Sequence, residues 1–335
     1  MKFVEIFAYH LTLLFTVKGL KDSLFSKTAI FINTCKRDYL LQEIKVDHRL
    51  RCSMACSQDA DCRRYLYCKS DLSCKTYLDG TDCVLSDNSG QCSCYRKKIG
   101  CYKGKCTCPL GYYGNNCQNI IKDCREGYGR NMTLGNTKQV YIQPGSTPFE
   151  IICNFGIYGN MQILRRDVTC LHENFNRTMN EYRKGFGNVA KNMWIGLERL
   201  KEILSLPSSK FRLVLHAVRS DNSKCRSHFT DFQLGNVSTG YSFGYLNMED
   251  DPNIMGCGNP FGEPFKNRFS TYDHDNTGSY RCATRFGGGW WFDTSVNCTK
   301  GFLTGSMDGS GVDIFLPVDL HDQQYKNCIV SIRFQ

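Results

Sequence analysis

The chain has 335 residues, of which 41% are hydrophobic, 22% charged and 13% aromatic. This length accommodates more than one domain, and this composition excludes a disordered, collagen-like or coiled-coil protein. The formal net charge is +10, and 21 residues are cysteines. Packing alone does not require so many cysteines in a protein of this size, so they indicate disulfide or metal chemistry.

The first 19 residues have the layout of a signal peptide, with an early lysine, an apolar run from Ala8 to Val17, and Gly19 as the small final residue. A buried N-terminal helix or an uncleaved anchor is the alternative. We expect a secreted, extracellular protein with a signal peptide at 1–19, because oxidised cysteines persist outside the cytosol. No uninterrupted run of 18 apolar residues predicts a spanning helix elsewhere. Four glycosylation sequons agree with secretion: Asn131, Asn176, Asn236 and Asn297.

The positive charge lies mainly in residues 1–123, which hold 19 Lys and Arg against 12 Asp and Glu. These cations are scattered, and the longest run is Arg96-Lys97-Lys98. Such a pattern argues against nucleic-acid binding. We expect a weak attraction to anionic cell surfaces or glycans instead.

Residues 1–123 also hold 13 of the 21 cysteines, and Cys52, Cys56 and Cys62 follow a C-x3-C-x5-C spacing ahead of Cys74. A C-x3-C spacing puts two sulfurs one helical turn apart, where each can be cross-linked to a neighbouring strand. Zinc binding is the competing interpretation, but zinc modules favour C-x2-C pairs and a reducing compartment. The segment resembles a PAN/apple domain, which we expect over residues 33–94. This resemblance implies protein or glycan contacts.

Residues 101–117 follow the pattern C-x4-C-x-C-P-x-G-Y-Y-G-x2-C. The glycines suit the positive backbone angles of a tight loop, which the last two cysteines, Cys108 and Cys117, would hold. The pattern resembles the second half of an EGF-like module. We expect a short, rigid EGF-like spacer over residues 95–119.

The remaining residues alternate apolar and polar side chains over several aromatic-rich runs. These runs predict strands at 140–142, 149–152, 161–164, 211–215 and 329–332. A helix is predicted near 193–204. A span from about 235 to 311 is rich in Gly, Asn, Asp and Ser, and it is too long for a simple connector. We expect this span to carry function.

Ordered motifs in this half identify it as a fibrinogen-related domain over residues 122–335. They include Asp123-Cys124, Cys153, Glu181 to Gly187, Trp194 to Glu198, Phe269 to Asp273, Cys282-Ala283, Gly289 to Phe292 and Leu303 to Gly305. The resemblance implies an α+β fold, the fibrinogen C-terminal globular domain, with a twisted, mostly antiparallel sheet and a loop-rich recognition lobe. It also implies the disulfides Cys124–Cys153 and Cys282–Cys298.

The segment from Asp273 to Ser279 alternates oxygen-bearing side chains, the ligand type that calcium requires. An EF-hand is excluded because its twelfth residue would be Thr284 rather than Glu. In the family a calcium ion sits here, and its two carboxylate ligands fall on Asp275 and Thr277. The threonine removes one negative charge, which weakens the site. Ca²⁺ is the expected cofactor, with a metal-free turn as the alternative, and the candidate ligands are Asp273, Asp275, Thr277 and Ser279.

The triplet Arg281-Cys282-Ala283 lies where lectin-like members of the family, ficolins and tachylectins, bind acetyl groups. In these members the peptide bond before the cysteine is cis, which directs backbone N–H groups into an aromatic-walled pocket. The resemblance implies these ligand-binding residues: Arg281, Cys282, Ala283, Trp290, Phe292, Thr299 and Phe302.

The sequence departs from the lectin pattern at three places, one of which is an insertion of about three residues between Trp291 and Cys298. Thr299 replaces a histidine or another pocket residue, and Ser306-Met307 stand where an aromatic residue is usual. A tryptophan doublet also suits a hydrophobic core, which is the interpretation that we favour for Trp291.

Cys170, Cys225, Cys257 and Cys328 lie outside the two family disulfides and permit three pairings. We expect Cys170–Cys328 and Cys225–Cys257, because the strand containing Arg165 lies beside the C-terminal strand in this fold. The odd cysteine then belongs to the N-terminal half, where it is free, modified, removed or bonded to another molecule. We expect a homo-oligomer, for which an intermolecular disulfide is one candidate link.

The sequence contains no His-Glu-x2-His, G-x-S-x-G or phosphate-binding loop, so we expect a binding protein and not an enzyme. Two functions remain. The first is a secreted innate-defence lectin that binds acetylated sugars, in which oligomerisation multiplies weak affinities. The second is an extracellular ligand or adhesive component that binds a cell-surface receptor or another protein. The apple-like module and the partly retained Arg-Cys-Ala motif favour the lectin, whereas Thr299 and Met307 favour the protein-binding function. We expect the lectin, with the protein-binding function as the alternative.

Overall fold

The computed structural model describes residues 25–27 and 40–335, except 59–61, 63, 78–91, 98–99, 103–104, 133–136, 158, 169–172, 190, 208–209, 307–312 and 318–324. The predicted signal peptide, Cys170 and Met307 lie outside the described residues. The protein divides into two compact units, Met1–Asn119 and Ile120–Gln335. Among the described residues, no helix is both long and apolar enough to cross a membrane.

The first unit contains a five-stranded antiparallel sheet in the order β1-β5-β3-β4-β2. The strands are β1 Phe25–Lys27, β2 Leu40–Lys45, β3 Arg64–Cys68, β4 Ser73–Tyr77 and β5 Cys92–Lys97. Helix α1 spans Arg49–Gln58. His48 stabilises its start, because His48 Nδ1 accepts a hydrogen bond from the Leu50 amide at 3.1 Å.

Disulfides join α1 to its surroundings. Cys52 bonds to Cys74 in β4, and Cys56 bonds to Cys62 just before β3. The prediction that both helix cysteines are cross-linked is therefore confirmed. Cys56 bonds to a loop residue and not to a strand, because its partner is only six positions away. Val46, Tyr65 and these four cysteines form a core cluster of the unit.

The end of the first unit consists of short strands and a disulfide loop. The short strands are β6 Gly100–Tyr102, β7 Lys105–Thr107, β8 Tyr112–Tyr113 and β9 Asn119–Ile120. Cys108 bonds to Cys117. Gly111 and Gly114 have φ angles of 100° and 95°, as the sequence predicts for a tight loop.

The second unit is built on a nine-stranded antiparallel sheet, in which the main order is β10-β11-β12-β20-β15-β16-β19 and β14 joins β13 to β12. These strands are β10 Thr137–Ile142, β11 Phe149–Asn154, β12 Asn160–Asp167, β13 Phe186–Gly187, β14 Met193–Trp194, β15 Phe211–Arg219, β16 Lys224–Phe229, β19 Met248–Asp250 and β20 Tyr325–Phe334. A separate pair comprises β17 Gln233–Leu234 and β18 Phe243–Gly244. All five strands predicted from alternation are confirmed.

Four short α-helices flank this sheet: α2 Cys124–Gly129, α3 Met179–Lys184, α4 Leu197–Leu204 and α5 Cys282–Phe286. Single 3₁₀ turns occur at Phe155–Ile157, Val237–Thr239, Gly278–Tyr280 and Thr294–Val296. The predicted helix at 193–204 begins later than expected, because Met193 and Trp194 pair with β12 instead. Thr178 and Glu181 form a capping box that begins α3.

The described part of the second unit contains three disulfides. Cys124 bonds to Cys153 and Cys282 to Cys298, the two pairings that the resemblance implies. Cys225 bonds to Cys257, which confirms the proposed extra pairing. Arg166 of β12 lies opposite Cys328 of β20, so these two strands are adjacent as expected. The pairing of Cys170 with Cys328 stays a prediction.

Candidate functional site: the recognition lobe

The recognition lobe, residues 240–306, packs on the sheet through aromatic side chains, and Phe261 of the lobe meets Phe229 of β16 with ring centroids 5.3 Å apart. The Trp291 indole N–H donates to the Tyr241 carbonyl at 2.7 Å, and the Trp290 indole N–H donates to the Pro260 carbonyl at 3.2 Å. The Phe243 and Phe261 rings stack with centroids 4.3 Å apart. The indole donors therefore satisfy their hydrogen bonds inside the lobe, where each ring also packs.

Three aromatic residues of the sequence-predicted site lie in this core, together with Trp291. Trp290, Trp291, Phe292 and Phe302 are each no more than 3% exposed. The core interpretation of Trp291 is thus the one that its burial supports. Trp290, Phe292 and Phe302 were expected to contact a ligand, but neighbouring rings cover them.

Tyr182 fixes the backbone that precedes the tryptophan pair. Its hydroxyl donates to the Phe175 carbonyl at 2.7 Å and accepts from the Gly289 amide at 2.9 Å. Thr304 Oγ1 donates to the Gly289 carbonyl at 2.9 Å. Burial raises the pKa of Tyr182 above its usual range, so this hydroxyl stays protonated and keeps donating.

The Asp275 carboxylate organises the loop before α5. One oxygen, Oδ1, accepts from the Thr277 amide at 3.0 Å and from the Thr277 hydroxyl. The other oxygen, Oδ2, accepts from the Ala283 amide at 2.9 Å. Thr277 Oγ1 in turn accepts from the Cys282 amide at 2.9 Å. Asp275 and Thr277 thus satisfy the first amides of α5, as capping residues do.

This arrangement corrects the expected acetyl-binding geometry. No cis peptide bond occurs among the residues that the structure describes, so the expected cis bond before Cys282 is wrong. Arg281 instead adopts a left-handed conformation with φ 45° and ψ 48°, and its side chain is exposed. The amides of Cys282 and Ala283 are directed at Thr277 and Asp275 and not at a ligand site.

The candidate calcium ligands do not fit a calcium ion well. Asp273 Oδ1 accepts from the Met179 amide at 2.9 Å and from the Thr271 hydroxyl at 2.7 Å, so it joins the loop to the start of α3. Asp275 is engaged through both oxygens, and the Thr277 hydroxyl acts as a donor to it. Among the described residues, no group of three or more His, Cys, Asp or Glu side chains is placed to hold a metal. Calcium prefers six to eight free oxygen ligands.

A separate cleft of about 170 Å³ lies between the segment around Phe261 and the segment after Trp291. Tyr245, Asn259, Phe261, Gly262, Glu263, Trp291, Asp293, Ser295, Val296, Thr299 and Lys300 line it. Of the predicted ligand-binding residues, Thr299 is the one that lines this cleft. Arg281, Cys282 and Ala283 do not line it.

The walls of the cleft are held in place by hydrogen bonds. Asn259 Nδ2 donates to the Tyr245 hydroxyl at 2.7 Å and to the Gly262 carbonyl at 2.9 Å. Thr299 Oγ1 donates to the Gly301 carbonyl at 2.6 Å. Asp293 forms an ion pair with Lys266 at 3.2 Å. Burial raises the pKa of Asp293, but hydrogen bonds from Ser295 and Lys266 and the charge of Lys266 together outweigh burial and lower this pKa, so the carboxylate is ionised at neutral pH.

The cleft lies within the span of about 235–311 that the sequence predicts to carry function, but Thr299 is the one lining residue predicted to bind a ligand. Tyr245, Asn259 and Glu263 carry no motif of their own, and only the fold brings them beside Thr299 and Lys300. The turn sequence Asn259-Pro260-Phe261-Gly262 was the available signal. The asparagines of the four sequons, Asn131, Asn176, Asn236 and Asn297, are all exposed.

Comparison with known proteins matches residues 120–314 to the family model described as the C-terminal globular domain of fibrinogen beta and gamma chains. Angiopoietin-4 of Mus musculus is 30% identical over 175 residues, which are 52% of this chain and 33% of angiopoietin-4. Human angiopoietin-related protein 3 is 30% identical over 194 residues, covering 56% and 38% of the two proteins. The chain thus spans less than half the length of these relatives.

Two solved structures share the fold of the second unit. The fibrinogen-like globe domain of human ANGPTL6 superposes with a TM-score of 0.55 and 21% identity, covering 64% of this chain and 96% of that domain. A lamprey fibrin D-dimer, complexed with the peptide ligand Gly-His-Arg-Pro-amide, superposes with a TM-score of 0.51 and 21% identity. It covers 63% of this chain and 72% of the lamprey protein. The predicted fold class is confirmed, whereas the PAN/apple-like and EGF-like assignments stay predictions.

Proposed function

We propose that this protein, which belongs to the family of the C-terminal globular domains of fibrinogen beta and gamma chains, is an extracellular protein-binding ligand. Its recognition lobe would bind a cell-surface receptor or another extracellular protein, without a chemical reaction. The similarity to angiopoietins and to an angiopoietin-related protein supports this proposal over the lectin function.

The cleft between Phe261 and Val296 is the observation that carries the proposal. Its volume of about 170 Å³ is below the range of roughly 300–1,000 Å³ that is usual for small-molecule sites. A cleft of this size suits one side chain of a protein partner, which is how anchoring residues enter pockets at protein interfaces. Glu263, Asp293 and Lys300 give its rim charges of both signs, which would orient such a partner.

The loop before α5 argues against the acetyl-binding alternative. A sugar acetyl group needs free donors for its carbonyl oxygen. The amides of Cys282 and Ala283, which the lectin function would use, already donate to Thr277 and Asp275. Breaking these hydrogen bonds to bind a sugar would leave Asp275 partly unsatisfied.

The experiment is a binding screen of the secreted, oxidised protein against extracellular receptor ectodomains and against a glycan array. The Val296→Trp variant should fill the cleft and reduce protein binding about tenfold or more, as loss of one anchor contact does. Val168→Trp is the matched control, because Val168 is exposed and lies outside the lobe.

Two results would refute the proposal. One is binding to acetylated glycans with no protein partner in the screen. The other is a protein partner whose affinity is the same for the native protein, for Val296→Trp and for Glu263→Arg, a charge reversal at the exposed rim of the cleft. Equal melting temperatures of the variants and the native protein would establish that all of them are folded.

A further inference from the structure

One face of the nine-stranded sheet carries a group of cations contributed by three adjacent strands. The alternate residues of β15 point away from its buried side chains Leu213, Leu215 and Ala217. Strand register places the partner residues of β16 and β20 on that same face. The cations of this cationic face are Arg212, Lys224, Arg226 and Arg333, and two histidines, His216 and His228, lie among them.

Like charges lie directly opposite each other on this face. Arg212 in β15 is the cross-strand partner of Arg333 in β20. Like charges at directly opposed positions destabilise a sheet, so this arrangement is costly for the free protein.

Acidic side chains compensate only part of this charge. Glu249 forms an ion pair with Arg212 at 3.4 Å, and Asp251 forms one with Arg226 at 3.0 Å. No ion pair among the described residues includes Arg333. The face therefore keeps an excess of positive charge after its own acidic neighbours are counted.

The pKa shifts of Arg333 and His228 have the direction that this repulsion causes. Burial and then the charges of Arg212 and Arg226 lower the pKa of Arg333. Burial and then the charges of Arg333 and Arg212 lower the pKa of His228, against a smaller opposite effect of Asp251. His228 Nε2 is buried and has no hydrogen-bond partner among the described residues. An anion bound over Arg212 and Arg333 would relieve the repulsion between these two guanidinium groups.

We propose that the cationic face is a binding site for a sulfated polysaccharide of the extracellular matrix or cell surface. The cations extend along the strands from the Arg212–Arg333 pair to Lys224, a distance of about 20 Å at the usual rise per residue. A linear polyanion can follow such a row, and guanidinium groups bind sulfate through paired hydrogen bonds. The oxidised disulfides place the protein where sulfated polysaccharides, and not nucleic acids, are the abundant polyanions. This site shares no residue with the cleft of the lobe, so it is independent of the proposed protein-binding function.

The test measures binding of a heparin octasaccharide to the full secreted protein by calorimetry at two ionic strengths. Arg333→Gln leaves both acidic ion pairs intact, and Arg212→Gln/Arg333→Gln removes the opposed pair. The double variant should bind heparin about tenfold more weakly or worse, and its affinity should depend less on salt. The melting temperature of the ligand-free Arg333→Gln variant should stay equal or rise, because the substitution removes a repulsion.

The control is Lys69→Gln/Lys184→Gln, which removes two exposed lysines outside this face and should bind heparin as the native protein does. The proposal is overturned by any of three results: equal heparin affinity of the native protein and the arginine double variant, an equal loss in the lysine control, or a fall in melting temperature on Arg333→Gln. A desulfated heparin octasaccharide or a DNA duplex that binds as tightly as heparin would also overturn it, because the site would then not select sulfated sugar.

Discussion

Different interactions stabilise the interior of each of the two units of this protein. The core of the first unit has one cluster of Val46, Tyr65 and the four cysteines of two disulfides around α1, and a smaller cluster that contains a third disulfide, Cys68–Cys92. The second unit instead packs aromatic rings between its sheet and the recognition lobe. Phe229 of β16 and Phe261 of the lobe, for example, meet edge to face with centroids 5.3 Å apart. Covalent bonds therefore replace apolar burial where the unit is small, since a small unit removes a lower share of its surface from water.

Disulfides serve another purpose in the second unit. Cys282–Cys298 closes a segment of the lobe, and Cys225–Cys257 joins β16 to the segment before the cleft. Each lies beside a core that already contains many buried rings. These bonds cross-link segments of the lobe and its border with the sheet, whereas those of the first unit hold its core. The comparison predicts that equivalent substitutions have unequal effects in the two units.

The largest expected effect is loss of the first unit on Cys52→Ser/Cys74→Ser. This bond closes a segment of 22 residues, for which chain entropy gives a stabilisation of about 3 kcal/mol. A unit with so small a core should unfold when it loses this contribution. Limited proteolysis with mass spectrometry should show cleavage within residues 40–77 while the nine-stranded unit stays intact.

Cys225→Ser/Cys257→Ser is the matched control, because its bond closes a comparable segment of 32 residues in the larger unit. Chain entropy predicts a similar loss in free energy of unfolding, of about 3–4 kcal/mol. The second unit should remain folded with a lower melting temperature. If both double variants leave their own units equally resistant to protease, the proposed difference between the units is wrong.

A smaller effect is expected at Thr277, which connects the Asp275 carboxylate to the start of α5. Thr277→Val removes the acceptor of the Cys282 amide and should cost about 1–3 kcal/mol, the usual range for a buried group left unsatisfied. Thr277→Ser, which keeps the hydroxyl, should cost much less. Differential scanning calorimetry of the second unit's transition in the full-length protein measures both changes.

Calcium provides a second measurement at the same residue. Because protein donors occupy the Asp275 oxygens, the melting temperature of the native protein should be equal in calcium and in chelator. Thr277→Asp restores the second carboxylate that the family uses and should create a calcium-dependent rise. A calcium-dependent rise in the native protein would show that the loop rearranges around a metal.

The parts of the structure that follow from local pattern were predictable from sequence. Strand alternation locates β15 and β20, and the C-x3-C spacing locates α1 and its cross-links. The engagement of the Cys282 and Ala283 amides was not predictable, because it depends on how the Asp275 loop folds back onto α5. The same motif, Arg-Cys-Ala, suits either a ligand-binding or an internally satisfied loop.

The cationic face was hidden from sequence reasoning for a related reason. Arg212, Arg226 and Arg333 are separated by up to 121 positions in the sequence, and only the pairing of β16, β15 and β20 brings them together. Net charge pointed to the first 123 residues instead, where the excess of cations is larger. A count of charges per segment does not detect cations that converge across strands, whereas strand register does.

The smallest expected effect is a pH dependence of stability that differs between the two units. Burial lowers the pKa of His216 and His228 below the usual value of 6.5, and neighbouring cations lower both further. Below pH 6.5 these histidines therefore bind protons in the unfolded state that they do not yet bind in the folded second unit. The stability of the second unit thus falls as pH falls, until pH reaches the lowered pKa values of the folded state. His216→Gln/His228→Gln should flatten this decline in the melting transition of the second unit. The transition of the first unit, which contains neither histidine, should keep its native pH dependence. An identical pH profile of the second unit's transition in the native protein and in the double variant would show that other groups cause the acid destabilisation.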